Sequence, residues 1–167
     1  MQNDTNVEET GRDREHLRAL FLLRAQEEPV GPSELSKIMD ISRAGALKKM
    51  KKVEELGYGE YIPKKGIRLN REATQTIKDD IERHHALEIF LKRSLGLSDE
   101  EACKESSSLE EHVSERLIEK ICDEFEEELS CDCGYCIDPD LDPDVDELYR
   151  CHWVKKSFSL PDNKMEV

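Results

Sequence analysis

At 167 residues the chain has room for one domain of ordinary size or two small ones, and with 37% apolar against 38% charged residues it supplies little material for a large core. No stretch approaches the roughly 20 apolar residues of a spanning helix, and the start, MQNDTNVEETGRDRE, has no apolar run of the kind a secretory signal or anchor needs. A cytosolic (cytoplasmic) protein with no membrane partner is expected, its six cysteines reduced, metal-bound or redox-active rather than joined in structural disulfides.

The net charge of -14 taken alone argues against nucleic acid, but the charge is unevenly spread. Residues 37–71 hold ten Lys/Arg against four Asp/Glu, whereas residues 73–167 hold eleven against twenty-six. Exposed charges are screened over about 8 Å at physiological salt, so a basic face answers to its own surroundings. Local charge decides the partner.

Residues 1–12 are polar and expected to be disordered. From Asp13, the series Leu17, Leu20, Phe21 and Arg24 fits a helix with one inward stripe that ends before Pro29. Gly31 then suits an N-cap with Pro32 at the first helical position, where its missing N–H costs nothing. Leu35, Ile38 and Met39 give that helix its inward face. MDIS makes a tight turn, and Ser42 caps a second helix whose Leu47, Met50 and Val53 point inward. Arg43, Lys48, Lys49, Lys51 and Lys52 cover its other sides. Gly57 provides a left-handed stop. YGEYIP and GIRLN then read as two short strands around Pro63-Lys64-Lys65-Gly66.

Helix, helix–turn–helix and basic hairpin in that order describe a winged helix–turn–helix. The alternative is a helical hairpin with a solvated lysine face. The basic residues gather, however, on the second helix and at the hairpin tip, the two places where such a module touches DNA. Recognition helices insert their N-terminal residues into the major groove while flanking cations neutralise phosphates. Ser42, Arg43, Ala44 and Lys48 are therefore candidates for base edges, and Lys49, Lys52, Lys64 and Lys65 for the backbone. Arg43 is suited to a bidentate contact with guanine.

A long helix is expected from Glu72 to Leu95, with Ile77, Ile81, Ala86, Leu87, Phe90 and Leu91 as its stripe. Ser98 with Glu101 three residues later forms a capping-box pattern that restarts the chain as a helix. A further helix from Ser114 carries Leu117, Ile118, Ile121 and Phe125. Helices with one apolar stripe each need a second copy to close a core, so a homodimer is expected. His84 and Glu88 are four residues apart and share one helix face. Imidazole and carboxylate together suit iron, manganese, zinc or nickel better than magnesium or calcium. The alternative reading makes His84 and His85 surface imidazoles and Glu110 and Glu111 a solvated face.

This order of elements, followed by RHHALEIFLKRSLGLSDEEACKESSSLEEHVSE, resembles the metal-dependent transcriptional repressors of the diphtheria toxin repressor and manganese transport regulator type (DtxR/MntR). The resemblance rests on Arg83-His84 with Glu88, the loop Leu95-Gly96-Leu97, and Glu110-Glu111-His112 leading to Ser114, over roughly residues 13–128. It implies that Cys103 joins His84 and Glu88 as a third ligand. It implies a second site from Glu15, Ser107, Glu110 and Glu111, with His112 as a substitute for Glu111. Ser107 and Glu111 depart from the family, which has Cys or Glu and His at those positions. Such an ion, Fe2+ or Mn2+, would join the two parts of the chain and fix the spacing of both recognition helices on double-stranded operator DNA.

CDCGYC gives Cys131, Cys133 and Cys136, with Cys151 and His152 further on, a set able to close a Zn2+ site, hold an iron–sulfur cluster or remain free thiols. DPDLDPDVDE lacks the glycine of a calcium loop and reads as a solvated linker. The expected architecture is mainly α: a disordered N-terminus (1–12), a winged helix–turn–helix DNA-binding domain (13–75), a helical metal-binding and dimerisation domain (76–130) and a Cys-rich acidic tail (131–167). No nucleophile stands beside a base, so no enzymatic activity is expected. The expected function is a metal-dependent repressor of metal-homeostasis genes. Two alternatives are a winged-helix redox or iron–sulfur sensor using the C-terminal cysteines, and a zinc-stabilised protein-interaction adaptor.

Overall fold

The computed structural model describes residues 11–125, and side chains from residue 14 onward. The order is α1 (Gly11–Leu22), α2 (Pro32–Ile38), α3 (Arg43–Glu55), β1 (Gly59–Ile62), β2 (Gly66–Leu69), α4 (Arg71–Leu95), α5 (Asp99–Leu109) and α6 (Glu115–Glu124). The described chain divides into two compact units between Ile77 and Lys78, within α4.

The first unit is built on α1. Leu17, Leu20 and Phe21 are fully buried, each contributing about 1.5–3 kcal/mol relative to exposure. The helix ends at Leu22, earlier than Pro29 requires, because Arg24 adopts the left-handed conformation (φ 61°). Arg24 accordingly lies outside and Ala25 takes the inward place. Gly31 caps α2, with Pro32 in the first turn and the Glu34 carboxylate accepting the Gly31 N–H at 2.9 Å. Leu35 alone of the expected α2 face is fully buried; Ile38 and Met39 are half-buried.

Ser42 Oγ accepts the Gly45 N–H at 3.0 Å and starts α3, a cap worth about 1 kcal/mol. Ala46, Met50 and Val53 form the buried stripe of α3, with Leu47 half-buried beside it. β1 and β2 pair antiparallel, Gly59 opposite Leu69 and Ile62 opposite Gly66. The hairpin is anchored by a third segment the alternation did not announce. Val30 and Ile67 exchange both backbone hydrogen bonds at 2.9 Å, and Leu69 N–H donates to Ala25 C=O at 2.9 Å. Glu54 Oε1 at the end of α3 accepts the Tyr61 N–H at 2.8 Å. That bond ties the wing to the helix ahead of it.

In the second unit, Ala86 and Leu87 of α4 pack on Ile118 and Ile121 of α6, with Phe90, Val113, Cys122 and Phe125 around them. Ser98 and Glu101 form the anticipated capping box of α5: the Glu101 carboxylate accepts the Ser98 N–H at 3.0 Å, and Ser98 Oγ accepts the Glu101 N–H at 3.4 Å. Leu117 departs from the expected stripe. It is 50% exposed, because Ile118 and Ile121, not their neighbour about 100° round the helix, face α4.

Gly66 has φ +119°, and a methyl group added there would overlap the Val30 carbonyl. Gly57 also has positive φ (+86°) but open space around it. Gly66→Ala should therefore destabilise the protein by well over about 1 kcal/mol and by more than Gly57→Ala, as read from urea unfolding. Equal losses would contradict the seating of the wing on Val30.

Candidate metal centre and DNA-reading face

The long α4 places His84 and Glu88 one turn apart on a face that turns inward: His84 is 0% and Glu88 7% exposed. The inner face of α5 presents Cys103, flanked by the buried Ala102 and Ser106. His84 Nε2 lies 3.2 Å from Glu88 Oε1 and 3.6 Å from Cys103 Sγ. One donor atom from each of the three falls within 4.8 Å of the others, the one such group among the described residues. The other ring nitrogen is also engaged. His84 Nδ1 lies 2.8 Å from Glu110 Oε2, in the turn after α5. Beside it on α4, Arg83 donates to the Val113 carbonyl at 2.7 Å and pairs with Glu115. Arg83 thereby holds the turn that delivers Glu110.

Burial works against charge on His84, but hydrogen bonds with Cys103, Glu110 and Glu88 outweigh it and raise its pKa to about 10. Glu88 shows the reciprocal effect: burial pushes its carboxyl up, yet the hydrogen bond and charge of His84, with a smaller part from Cys103, bring it below the usual carboxylate value. Both shifts describe a buried cluster that demands positive charge, met here by a proton on imidazole. A divalent transition ion fits the same donors. Ligands about 2.0–2.3 Å from one ion necessarily lie a few ångströms from each other, as the 3.2 and 3.6 Å separations do. A carboxylate on the far nitrogen of a ligating imidazole also fixes the tautomer and strengthens the donor.

The surface-imidazole alternative is ruled out, since His84 and His85 are both fully buried. The remaining candidate ligands fall in both units. Glu15 is half-buried on α1 in the first unit, while Glu111 and His112 are exposed in the turn after α5. Ser107 spends its hydroxyl on the Cys103 carbonyl at 3.0 Å. The roles of Glu110 on Nδ1 and of Arg83 were missed from sequence, because both depend on a turn some 26 to 32 residues away. Cys131, Cys133, Cys136, Cys151 and His152 lie outside the described residues.

On the first unit, Ser42, Arg43, Ala44 and Lys48 are exposed at the start of α3, and Lys49 and Lys52 are half-buried along it. Lys64 and Lys65 are exposed at the hairpin tip. Ser42 Oγ accepts the bond of its helix cap, and its O–H can still donate elsewhere.

Comparison with known proteins agrees with this two-part arrangement. The family model described as iron dependent repressor, N-terminal DNA binding domain, matches residues 10–67, and iron dependent repressor, metal binding and dimerisation domain, matches 71–139. An HTH-type transcriptional regulator of Methanocaldococcus jannaschii is 29% identical over 108 residues, 64% of this chain and 86% of its own. The HTH-type transcriptional regulator MntR of Lysinibacillus sphaericus is 26% identical over 109 residues, 65% of this chain and 78% of its own. The crystal structure of a hypothetical protein from Sulfolobus solfataricus matches with a TM-score of 0.69 at 20% identity, covering 78% of this chain and 99% of that one, a likeness of fold. The chain belongs to the DtxR/MntR-type metal-dependent transcriptional repressors.

Two outcomes follow for the metal centre. Glu110→Gln should weaken divalent metal binding by about 10- to 100-fold, the usual cost of losing such an outer carboxylate, as measured by competition with a chelating dye; unchanged affinity would mean that Glu110 does not orient His84. The pKa of His84 is raised above its ordinary 6.5, so in the metal-free protein its contribution to stability is complete below about pH 6.5 and is lost as pH rises through about 10. A metal taking up His84 near neutral pH would accordingly have to displace that proton. Calorimetric titrations in two buffers of different ionisation enthalpy should show proton release that shrinks in His84→Asn.

Proposed function

We propose that His84, Glu88 and Cys103 hold the regulatory divalent cation of this repressor, iron or manganese in the first instance, and that occupancy controls operator binding by a cytoplasmic homodimer with no enzymatic activity. The observation that carries the reading is the buried trio itself: three different donor types converge on one point, with the imidazole oriented from behind by Glu110. Held by His84 and Glu88 of α4 and Cys103 of α5, a divalent cation would supply the charge that the Glu88 carboxylate and a Cys103 thiolate require. The rest is done by the chain. The residues of α4 run through both units, Ala73 and Ile77 in the core of the first and His84 and Glu88 in the second. Moving a conformational equilibrium from 1:99 to 99:1 takes about 5.5 kcal/mol of differential binding, within what a multi-ligand site provides.

Operator recognition is assigned to the exposed start of α3, with Arg43 reading a base and Lys49, Lys52, Lys64 and Lys65 holding phosphates. Regulation of metal-homeostasis genes follows from sensing their cargo. Leu117 and Leu109, exposed on the second unit, are available to a second copy. Matches to both a DNA-binding and a metal-binding domain model favour this reading over an adaptor and over a sensor built on the tail cysteines alone.

Operator affinity measured by fluorescence anisotropy should fall when metal is chelated at fixed salt. Arg43→Ala should cost about 1–3 kcal/mol and relax preference at one base position, whereas Lys64→Ala should weaken all sequences alike and lower the log–log salt slope by about one per bound copy. Equal affinity with chelator and with metal would remove the switch. Absence of binding even at low salt would remove the DNA reading itself.

A further inference from the structure

From the composition of the site we infer that Cys103 makes it selective for thiophilic divalent ions, of the ferrous or zinc class, over Mn2+. The inference rests on the metal-binding role proposed for the trio and narrows what the trio accepts. The sulfur stands where the third ligand beside His84 and Glu88 is expected. The resemblance to the family puts its usual stronger second-site ligand at Ser107, and that hydroxyl donates instead to the Cys103 carbonyl. One turn earlier, the buried Cys103 directs Sγ to within 3.6 Å of His84 Nε2.

The hard donors are also fewer than the acidic sequence suggests. Of the three carboxylates in 110–111 and at 88, Glu110 is engaged by His84 Nδ1 and Glu111 is exposed. Glu88 is the one whose oxygen is seen against Nε2, at 3.2 Å. Among the described residues, the converging group therefore offers one thiol, one imidazole and one carboxylate. Mn2+ is best served by carboxylate, carbonyl and water oxygens, and it sits at the weak end of the divalent affinity series. Thiolate steepens that series in favour of iron, cobalt and zinc. On binding, Cys103 gives its S–H proton to solvent and the sulfur lone pair to the ion. Cys122, the other described cysteine, does not compete: it is half-buried, lies outside the trio, and burial together with Glu82, Asp123 and Glu115 pushes its thiol pKa up.

Anaerobic titration of the full chain with Co2+ tests this by an optical signature that is independent of DNA. Sulfur-to-cobalt charge transfer absorbs in the near ultraviolet, and the difference between the full chain and Cys103→Ser isolates residue 103, because any contribution from the tail cysteines is common to both. The full chain should show a band of one equivalent that Cys103→Ser lacks while still binding Co2+ through His84 and Glu88. Cys103→Asp, which also lacks sulfur and serves if Cys103→Ser does not fold, should lower the Co2+-over-Mn2+ affinity ratio by roughly tenfold or more. Co2+ binding without a Cys103-dependent band, or an unchanged ratio in Cys103→Asp, would overturn the inference and leave the repressor reading intact. A Cys103-dependent band with operator affinity indifferent to metal would uphold the inference and remove the switch.

Discussion

Everything in the second unit turns on one buried imidazole with both ring nitrogens engaged. A polar ring removed from water is costly unless its nitrogens find partners, and His84 finds Glu110 on one side and Glu88 with Cys103 on the other. The fold supplies these partners from three elements: α4 by helical spacing, α5 by its inner face, and the turn after α5 by the grip of Arg83. Two carboxylates and a thiol around a single base leave an excess of negative character, so the cluster stores a demand for a cation. A proton on the imidazole meets that demand near neutral pH, and a divalent ion held by the same donors would meet it as well.

The DNA-reading unit obeys a different constraint. Its surface is basic because α3 needs only the stripe Ala46, Met50 and Val53 for packing, which frees the remaining positions for Arg43 and four lysines. Orientation comes from backbone and carboxylate bonds: the Val30–Ile67 pair seats the hairpin, and Glu54 joins the end of α3 to Tyr61. Reading helix and wing thus form one piece. The acidic bulk of the chain lies elsewhere in sequence, so a net charge of -14 coexists with a positive working face.

The sequence was most legible where local chemistry decides structure. Pro32, Ser42, Gly57, Gly66 and the Ser98–Glu101 pair mark caps and turns by themselves, and the observed elements start or stop at them. His84 and Glu88 were legible for the same reason, being four apart on one helix. What escaped were features set by tertiary neighbours. Arg24 breaks α1 through its backbone, with no glycine or proline to announce it, and Val30 joins the hairpin from a loop. Leu117 is left outside because α6 rotates Ile118 and Ile121 inward. In the site, Cys103 was suggested by family resemblance rather than by spacing, and the bond between Glu110 and His84 Nδ1 was not legible at all, since neither helix periodicity nor motif reveals where a turn will aim a carboxylate.

The most direct measurement is an anomalous-difference map from crystals of the Zn2+-loaded protein, collected at the zinc absorption edge. The account predicts a peak about 2.0–2.3 Å from His84 Nε2, a Glu88 oxygen and Cys103 Sγ, with Glu110 still on Nδ1. Peaks confined to the tail cysteines, with none at the trio, would contradict it.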